Sequence, residues 1–167
     1  MKKLRFAALG TVLTVLLATA LAQKATPHLL SVDELKKAIP AECYFLGQKS
    51  PTQLRNSAGF QLATGKITLA ALVDSSGYSS DVQQKYQGLL ITESKLSIGG
   101  SDLPAGEYGF GFAGDKFVVM NVANEDLLSS AYQTDAELKR PVPLKMAEDG
   151  AGYRLYAGRR WISIKPQ

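Results

Sequence analysis

Apolar and polar residues alternate along most of the chain after Gly47, with the period of two that is typical of β-strands. In "KITLAALV", every second residue from Ile67 to Val73 points to one face of the strand. Further runs of strand length are separated by Gly, Asp, Asn, Ser and Pro: "GLLITES", "KLSIGG", "EYGFGFAG", "KFVVMNV", "PLKMAED", "GYRLYAG" and "RRWISIK". This pattern predicts a mainly β fold, an antiparallel β-sandwich, with a small β-barrel as the alternative.

One short N-terminal helix is expected in "SVDELKKAI". Ser31 and Glu34 have the spacing of a capping box, in which each residue's side chain binds the other's backbone N–H. The apolar residues that fall near one helical face are Val32, Leu35 and Ile39. The segment "NEDLLSSAYQTDAELKRPVP" is ambiguous, and fits either a strand and loop or a short helix from Asp135.

The first 22 residues have the order of a secretory signal peptide. A basic start with Lys2, Lys3 and Arg5 is followed by an apolar run and by "ALA". We expect cleavage after Ala22, a flexible lead-in over residues 23–30 and a single β domain over residues 31–167. An uncleaved anchor is the alternative, but the apolar run is short for a membrane span of about 20 residues. The protein is therefore expected to be exported, periplasmic or extracellular, with no stable membrane anchor after cleavage.

Charge argues against a nucleic-acid partner. Three of the 19 Lys and Arg residues and none of the 15 Asp and Glu residues lie in residues 1–22, so the remainder has a net charge of +1. Residues 139–167 have a net charge of +5 and residues 23–138 a net charge of −4. This basic end fits an anionic surface or, more simply, solvated strand faces.

The stretch "GFGFAG" at residues 109–114 has the letters of a dinucleotide-binding fingerprint, G-x-G-x-x-G. That fingerprint needs a helix to follow it, because the helix N-terminus holds the pyrophosphate. Here "DKFVVMNV" follows, which is a strand sequence. We therefore predict strand, turn and strand, and no cofactor. The bare face at Gly109 and Gly111 indicates that another strand, the helix near residue 35 or a ligand packs there.

A partial internal repeat links this stretch to the C-terminus. "AGEYGFGFAGDKFVVM" and "AGYRLYAGRRWISI" share the pattern A-G, a Tyr-containing run, A-G, two polar residues and an aromatic residue. The sequence predicts two β-hairpins of one design. Gly114 and Gly158 are each expected as the first residue of a two-residue type II′ turn, and Phe117 corresponds to Trp161.

The segment "LSIGGSDLPAGEYGFGFAGDKFVVMNVAN" resembles the central hairpin of a family of exported bacterial domains of unknown function. Those domains share an apolar strand, G-G, then L-P-A-G-x-Y and a strand that ends in Asn. The glycine-rich "GFGFAG" departs from the plainer apolar strand of the family. The resemblance implies a β-sandwich and an exported protein, and it supplies no catalytic residues.

The sequence contains few candidate residues for catalysis or metal binding. His28 is the only histidine and Cys43 the only cysteine, which together do not make a zinc site. No G-x-S-x-G motif is present, and His28 lies in the expected lead-in, a poor position for a general base. Cys43 lies in an apolar run and is expected to be buried. We therefore expect no catalytic residue, no metal and no cofactor.

Two places are candidates for binding. The polar stretch at residues 74–88 carries Tyr78 and Tyr86, which are suited to stacking on a sugar or peptide unless the stretch is an ordinary connection. Trp161, the only tryptophan, lies with Arg159 on the polar face of the last strand. The alternative for Trp161 is a buried aromatic residue.

The leading hypothesis is therefore a non-enzymatic binding module of the cell envelope or the secreted fraction, with a glycan, a peptide or an envelope protein as partner. One alternative is a carboxylate-dependent hydrolase acting on glycans, which needs two carboxyl groups facing one another in a cleft. The other is a structural or interaction protein of the envelope.

Overall fold

The computed structural model describes residues 25–167, so the expected signal peptide lies outside the described residues. In chain order the elements are β1 (His28–Leu29), α1 (Val32–Ala38), β2 (Glu42–Phe45), β3 (Gln48–Gln61), β4 (Ile67–Val73), α2 (Ser80–Lys85), β5 (Gly88–Thr92), β6 (Leu96–Ile98), β7 (Ser101–Leu103), β8 (Gly106–Ala113), β9 (Lys116–Met120), β10 (Asp126–Ala131), β11 (Gln133–Thr134), β12 (Val142–Asp149), β13 (Gly152–Gly158) and β14 (Arg160–Pro166). Neither helix of residues 25–167 has the length and apolar character needed to cross a bilayer.

Across residues 25–167 the strands form two antiparallel sheets, which confirms the β-sandwich. The eight-stranded sheet has the order β1-β3-β4-β5-β8-β9-β10, with β2 also paired to β3. The six-stranded sheet has the order β12-β13-β14-β6-β7, with β11 also paired to β14. Both sheets stay open, so the barrel alternative is wrong.

The main core lies between the two sheets. Its fully buried side chains include Phe60, Leu90, Phe110 and Val119 from one sheet and Ile98, Leu155 and Ile164 from the other. Phe60 stacks on Tyr153 across the interface, with ring centroids 3.7 Å apart. Burial of one such side chain contributes about 1.5–3 kcal/mol, so this alternating pattern is the main source of the fold's stability.

The eight-stranded sheet is also covered on its outer face. On that face Leu35 of α1 and Ile39, which follows the helix, pack against Leu69 and Ala71 of β4. A second cluster joins β2, α2 and the residues that flank α2 to β4, β5 and β9. The sheet is thus the middle of three layers, and its central strands are apolar on both faces.

The predicted helix and hairpins are confirmed. Helix α1 begins with the expected capping box, in which the Glu34 carboxylate accepts from the Ser31 N–H at 2.8 Å. Gly114 has φ +56° and Gly158 has φ +68°, and each is the first residue of a two-residue turn. The two hairpins of the repeat lie in opposite sheets of the sandwich.

Two local expectations differ from the structure, and one open alternative is decided by it. The polar stretch at residues 74–88 contains a helix, α2. The ambiguous segment forms strands β10 and β11 followed by a bend, which confirms the strand and loop and excludes the helix from Asp135. Part of the expected lead-in is ordered into strand β1, where His28 and Leu29 pair with the end of β3.

Candidate functional site

Tyr78 and Tyr86 lie in the core, where neither ring can stack on a ligand. Their side chains are only 7% and 1% exposed. The Tyr78 hydroxyl donates to the Phe45 carbonyl oxygen at 2.8 Å, and the Tyr86 ring stacks on the Phe45 ring with centroids 3.8 Å apart. These tyrosines therefore fasten the 74–86 segment onto the β2–β3 hairpin, and the expectation of a binding loop is wrong for both.

The bare face of "GFGFAG" is filled by this aromatic cluster. A side chain at Gly109 would meet the rings of Phe45 and Tyr86 at 2.9 and 3.0 Å. One at Gly111 would collide with the carbonyl oxygen of Lys85, the last residue of α2. The glycines thus leave room for α2 and the residue after it, not for α1 and not for a nucleotide.

Cys43 is buried in the same cluster, as expected. The residue is 4% exposed, and its Sγ lies 3.2 Å from the Tyr86 hydroxyl oxygen. Burial raises the pKa of the Cys43 thiol and also the pKa of Tyr86. Both groups therefore stay neutral at physiological pH and act as packing residues.

Trp161 is half-buried on the outer face of the six-stranded sheet, and a cation does lie against it. That cation is Arg154, whose guanidinium carbon is 4.2 Å from the ring centroid. Arg159 instead occupies the hairpin turn and donates from Nε to the Leu138 carbonyl oxygen at 3.1 Å. The pairing of Arg159 with Trp161 is therefore wrong, and so is the alternative of a fully buried Trp161.

The cation at Trp161 is held in place by an ion pair. Arg154 donates from Nε and Nη2 to the two carboxylate oxygens of Asp149, each at 2.9 Å. These bonds raise the pKa of the guanidinium. Next to the indole, Tyr156 donates to a carboxylate oxygen of Asp135 at 3.2 Å. The Arg154 guanidinium is thus neutralised by Asp149, whereas the Asp135 carboxylate is bound by a neutral hydroxyl.

A cleft of about 360 Å³ opens beside Trp161. It exists because β11 pairs with β14 only at Arg160 and Trp161, whereas β6 pairs with β14 from Ile164 onward. The two short strands stop on either side of Ile162 and Ser163 and leave a gap. The cleft walls include Gly99, Ser130, Gln133, Trp161, Ile162 and Ser163.

A second cleft, of about 370 Å³, lies at the β2–β3 hairpin and carries two carboxylates, Glu42 and Glu107. Glu42 is paired with Lys49, whose Nζ lies 2.5 Å from Oε1. Both carboxylates are exposed. The two carboxylates are therefore open to water, and one of them is already engaged with a lysine.

Metal chemistry finds no support in this part of the chain. Among residues 25–167, no three His, Cys, Asp or Glu side chains converge as a metal site requires.

The His28 side chain is held by two contacts. Its Nε2 lies 3.0 Å from a Glu34 carboxylate oxygen, and its Nδ1 lies 2.8 Å from the Thr26 carbonyl oxygen.

Comparison with protein-family models, with curated proteins and with solved structures finds no match for this chain.

Sequence reasoning found Trp161 and missed its neighbours. Strand pairing places both neighbours beside the ring. Gln133 of β11 is the direct partner of Trp161. Arg154 of β13 is the partner of Ser163, two residues after Trp161 on β14. Arg154 could have been identified from the predicted C-terminal hairpin. With a two-residue turn, the alternation of side chains places Arg154, Tyr156 and Trp161 on the same face of that hairpin.

Proposed function

We propose that this protein is a non-enzymatic binding module of the cell envelope or the secreted fraction, and that its ligand is a saccharide held in the Trp161 cleft. The observation that carries the proposal is the half-buried indole of Trp161 at the wall of a cleft of about 360 Å³. This volume lies within the roughly 300–1,000 Å³ of typical ligand sites.

The chemistry of the walls suits a sugar. An indole offers a flat apolar surface to the C–H face of a sugar ring. Gln133 supplies an amide, and Ser130 and Ser163 supply hydroxyls, so donors and acceptors surround the indole. Arg154 covers the ring from one side and keeps the indole in a fixed position. A neutral saccharide meets these groups without having to displace the Arg154–Asp149 ion pair.

Export is part of the same proposal. Residues 1–22 have the charge and hydropathy order of a signal peptide. The resemblance of the L-P-A-G-x-Y hairpin to a family of exported bacterial domains points the same way. A saccharide ligand also suits a compartment in which envelope glycans are abundant.

Binding is tested by screening the purified protein against immobilised glycans, peptides and anionic lipid vesicles. We expect retention on a subset of glycans, and we expect Gln133→Ala to weaken that retention by up to about tenfold, since a lost hydrogen bond is worth roughly 0.5–1.5 kcal/mol. Gln84→Ala, an exposed glutamine of α2, is the matched control and should bind like the wild type. Retention only on peptides or vesicles, or none in any class, would contradict the proposal.

A carboxylate-dependent glycan hydrolase is the second candidate, because Glu42 and Glu107 line one cleft. It predicts release of reducing ends from polysaccharides, abolished by Glu107→Gln. We rank it below binding because both carboxylates are exposed and Glu42 is paired with Lys49. Binding without turnover would separate the two candidates.

A further inference from the structure

Three exposed apolar side chains gather at one end of the eight-stranded sheet, whereas Trp161 belongs to the six-stranded sheet. Tyr44 is 58% exposed, Leu46 is 40% exposed and Val122 is 52% exposed. All three line the same cleft of about 370 Å³, here called the hairpin cleft. Single exposed apolar residues are ordinary, but a cluster around a concavity marks an interaction surface.

Leu46 occupies a backbone conformation that leucine disfavours. Leu46 and Gly47 form the two-residue turn between β2 and β3, with φ of +49° and +73°. Positive φ at both positions is a type I′ turn, in which Asn, Asp or Gly is preferred at the first position. The leucine side chain is not buried, and leucine is not among the residues preferred in this turn. Strain of this kind tends to be kept where a side chain serves a function.

Val122 is held beside Leu46 by a well-organised loop. The Leu46 N–H donates to the Val122 carbonyl oxygen at 2.8 Å. The Asn121 side-chain oxygen accepts from the N–H groups of Ala123 and Glu125 at 2.9 and 3.0 Å. The loop therefore presents an exposed valine from a fixed backbone, which reduces the entropy lost when a partner binds.

The charge of the hairpin cleft is negative. Glu42 and Glu107 are its charged wall residues. Glu42 is neutralised by Lys49, but Glu107 takes part in none of the ion pairs formed among residues 25–167. Glu107 pairs across the strands with Ile91, an apolar residue. An unneutralised carboxylate beside apolar walls complements a cation attached to an apolar group and repels an anionic surface.

We propose that the hairpin cleft docks a segment of a partner protein that presents a lysine or arginine side chain next to an apolar one. The cation meets Glu107, and the apolar side chain lies against Tyr44, Leu46 and Val122. A cleft of about 370 Å³ holds one or two side chains, so the rest of the segment lies over the exposed apolar rim. This surface is independent of the Trp161 cleft and does not depend on saccharide binding.

The test uses three acetylated hexapeptide amides that alternate leucine with lysine, glutamine or glutamate. Each is titrated into the ¹⁵N-labelled protein, residues 23–167, and amide shifts are followed by NMR. We expect the lysine peptide to bind most tightly, then the glutamine peptide, then the glutamate peptide, with shifts centred on Leu46, Glu107 and Val122. Glu107→Gln should weaken only the lysine peptide, about fivefold, the factor for an exposed ion pair of about 1 kcal/mol. Glu148→Gln, another exposed carboxylate, is the matched control.

A second variant separates function from folding. Asn is well tolerated at positive φ, so Leu46→Asn should keep or raise the melting temperature while it weakens all three peptides. Equal affinity for the three peptides, tighter binding of the glutamate peptide or no shift in the hairpin cleft would overturn the proposal. Self-association of the protein through this cleft, seen by light scattering, would also overturn it, because the occupant would then be a second copy.

Discussion

The guanidinium group of Arg154 lies against the indole of Trp161, 4.2 Å from the ring centroid, while both oxygens of Asp149 hold it from the other side. The only tryptophan of the chain thus lies at the wall of a cleft. The cation that contacts its ring is already neutralised by Asp149. This relationship makes Trp161 both the centre of the proposed saccharide site and its natural spectroscopic probe.

Loss of the Arg154 side chain should change the fluorescence of Trp161 even without a ligand. In Arg154→Gln the indole loses a cation–π contact worth roughly 0.5–1 kcal/mol and becomes more accessible to water. We expect red-shifted emission and stronger quenching by acrylamide. Arg159→Gln is the control, since that side chain binds the Leu138 carbonyl oxygen. Equal quenching of the two variants would contradict the assignment of Arg154.

The Tyr78 hydroxyl should matter for stability and not for binding. Tyr78→Phe leaves the Phe45 carbonyl oxygen and the Ser50 hydroxyl without this partner. The loss of buried hydrogen bonds should lower the free energy of unfolding by about 1–2 kcal/mol. Urea denaturation measures this change. A drop in saccharide affinity at unchanged stability would return Tyr78 to the role of a binding residue.

Gly111 should accept no side chain. The Cβ of Gly111→Ala would overlap the Lys85 carbonyl oxygen, so α2 must move away from β8. We expect a loss of about 3 kcal/mol, as in an overpacked core. Gly77→Ala is the matched control, because the nearest atom to that Cβ, Oε1 of Gln48, is 3.9 Å away. Similar thermal stability of the two variants would show that the contact with α2 is not needed.

Relief of strain at Leu46 should stabilise the fold. Leu46→Asn replaces a leucine at φ +49° by a residue that tolerates this conformation. The gain in free energy of unfolding should approach about 1 kcal/mol, the penalty for a left-handed residue. Thermal unfolding measures it. A clear loss of stability would mean that the leucine side chain is a packing residue and would weaken the case for the hairpin cleft.

The pKa of His28 should be raised. The Thr26 carbonyl oxygen first, and the Glu34 carboxylate second, favour the protonated ring, so its pKa lies above the usual 6.5. Protonated His28 therefore stabilises the fold at pH below about 6.5, and this contribution is lost as pH rises through the folded-state pKa. NMR titration of this single histidine should give a midpoint above 6.5. In Glu34→Gln the midpoint should fall but stay raised; an unchanged midpoint would exclude the Glu34 contact.

The pKa of Glu34 is shifted in the opposite direction, downward. Its hydrogen bonds with Ser31 lower the pKa of the carboxyl to about 2, from the usual 4.5. The stabilisation by this capping box is therefore present above pH 4.5 and is lost as pH falls through about 2. The same NMR titration, read at the Glu34 side chain, checks the low midpoint, and Ser31→Ala should move it upward.

Much of the fold follows from local sequence patterns. Alternation identifies the strands, Ser31 and Glu34 identify the helix start, and Gly114 and Gly158 identify the two hairpin turns. These features depend on residues close together in the chain. The position of α2 does not follow, because Val82 is the one apolar residue of this helix and none of its side chains is fully buried. Long-range contacts place α2: Tyr78 and Tyr86 pack against Phe45, and the Lys85 carbonyl lies over Gly111.

The candidate sites are less predictable for a related reason. Tyr78 and Tyr86 occur in a polar stretch that is typical of an exposed loop, and only the three-dimensional fold sets them against Phe45. Gln133 reaches Trp161 by pairing of β11 with β14, and two short strands that end apart on β14 open the cleft. Pairing partners distant in sequence are not encoded by local periodicity.

The most direct test of the saccharide proposal is a titration of Trp161 fluorescence with the glycan that is retained best in the screen. We expect a saturable change in emission and protection from acrylamide quenching, with Gln133→Ala shifting the midpoint by up to about tenfold and Gln84→Ala leaving it unchanged. Glycan binding by another assay, with Trp161 emission and quenching unaltered, would contradict the site, and no glycan binding at all would contradict the proposed function.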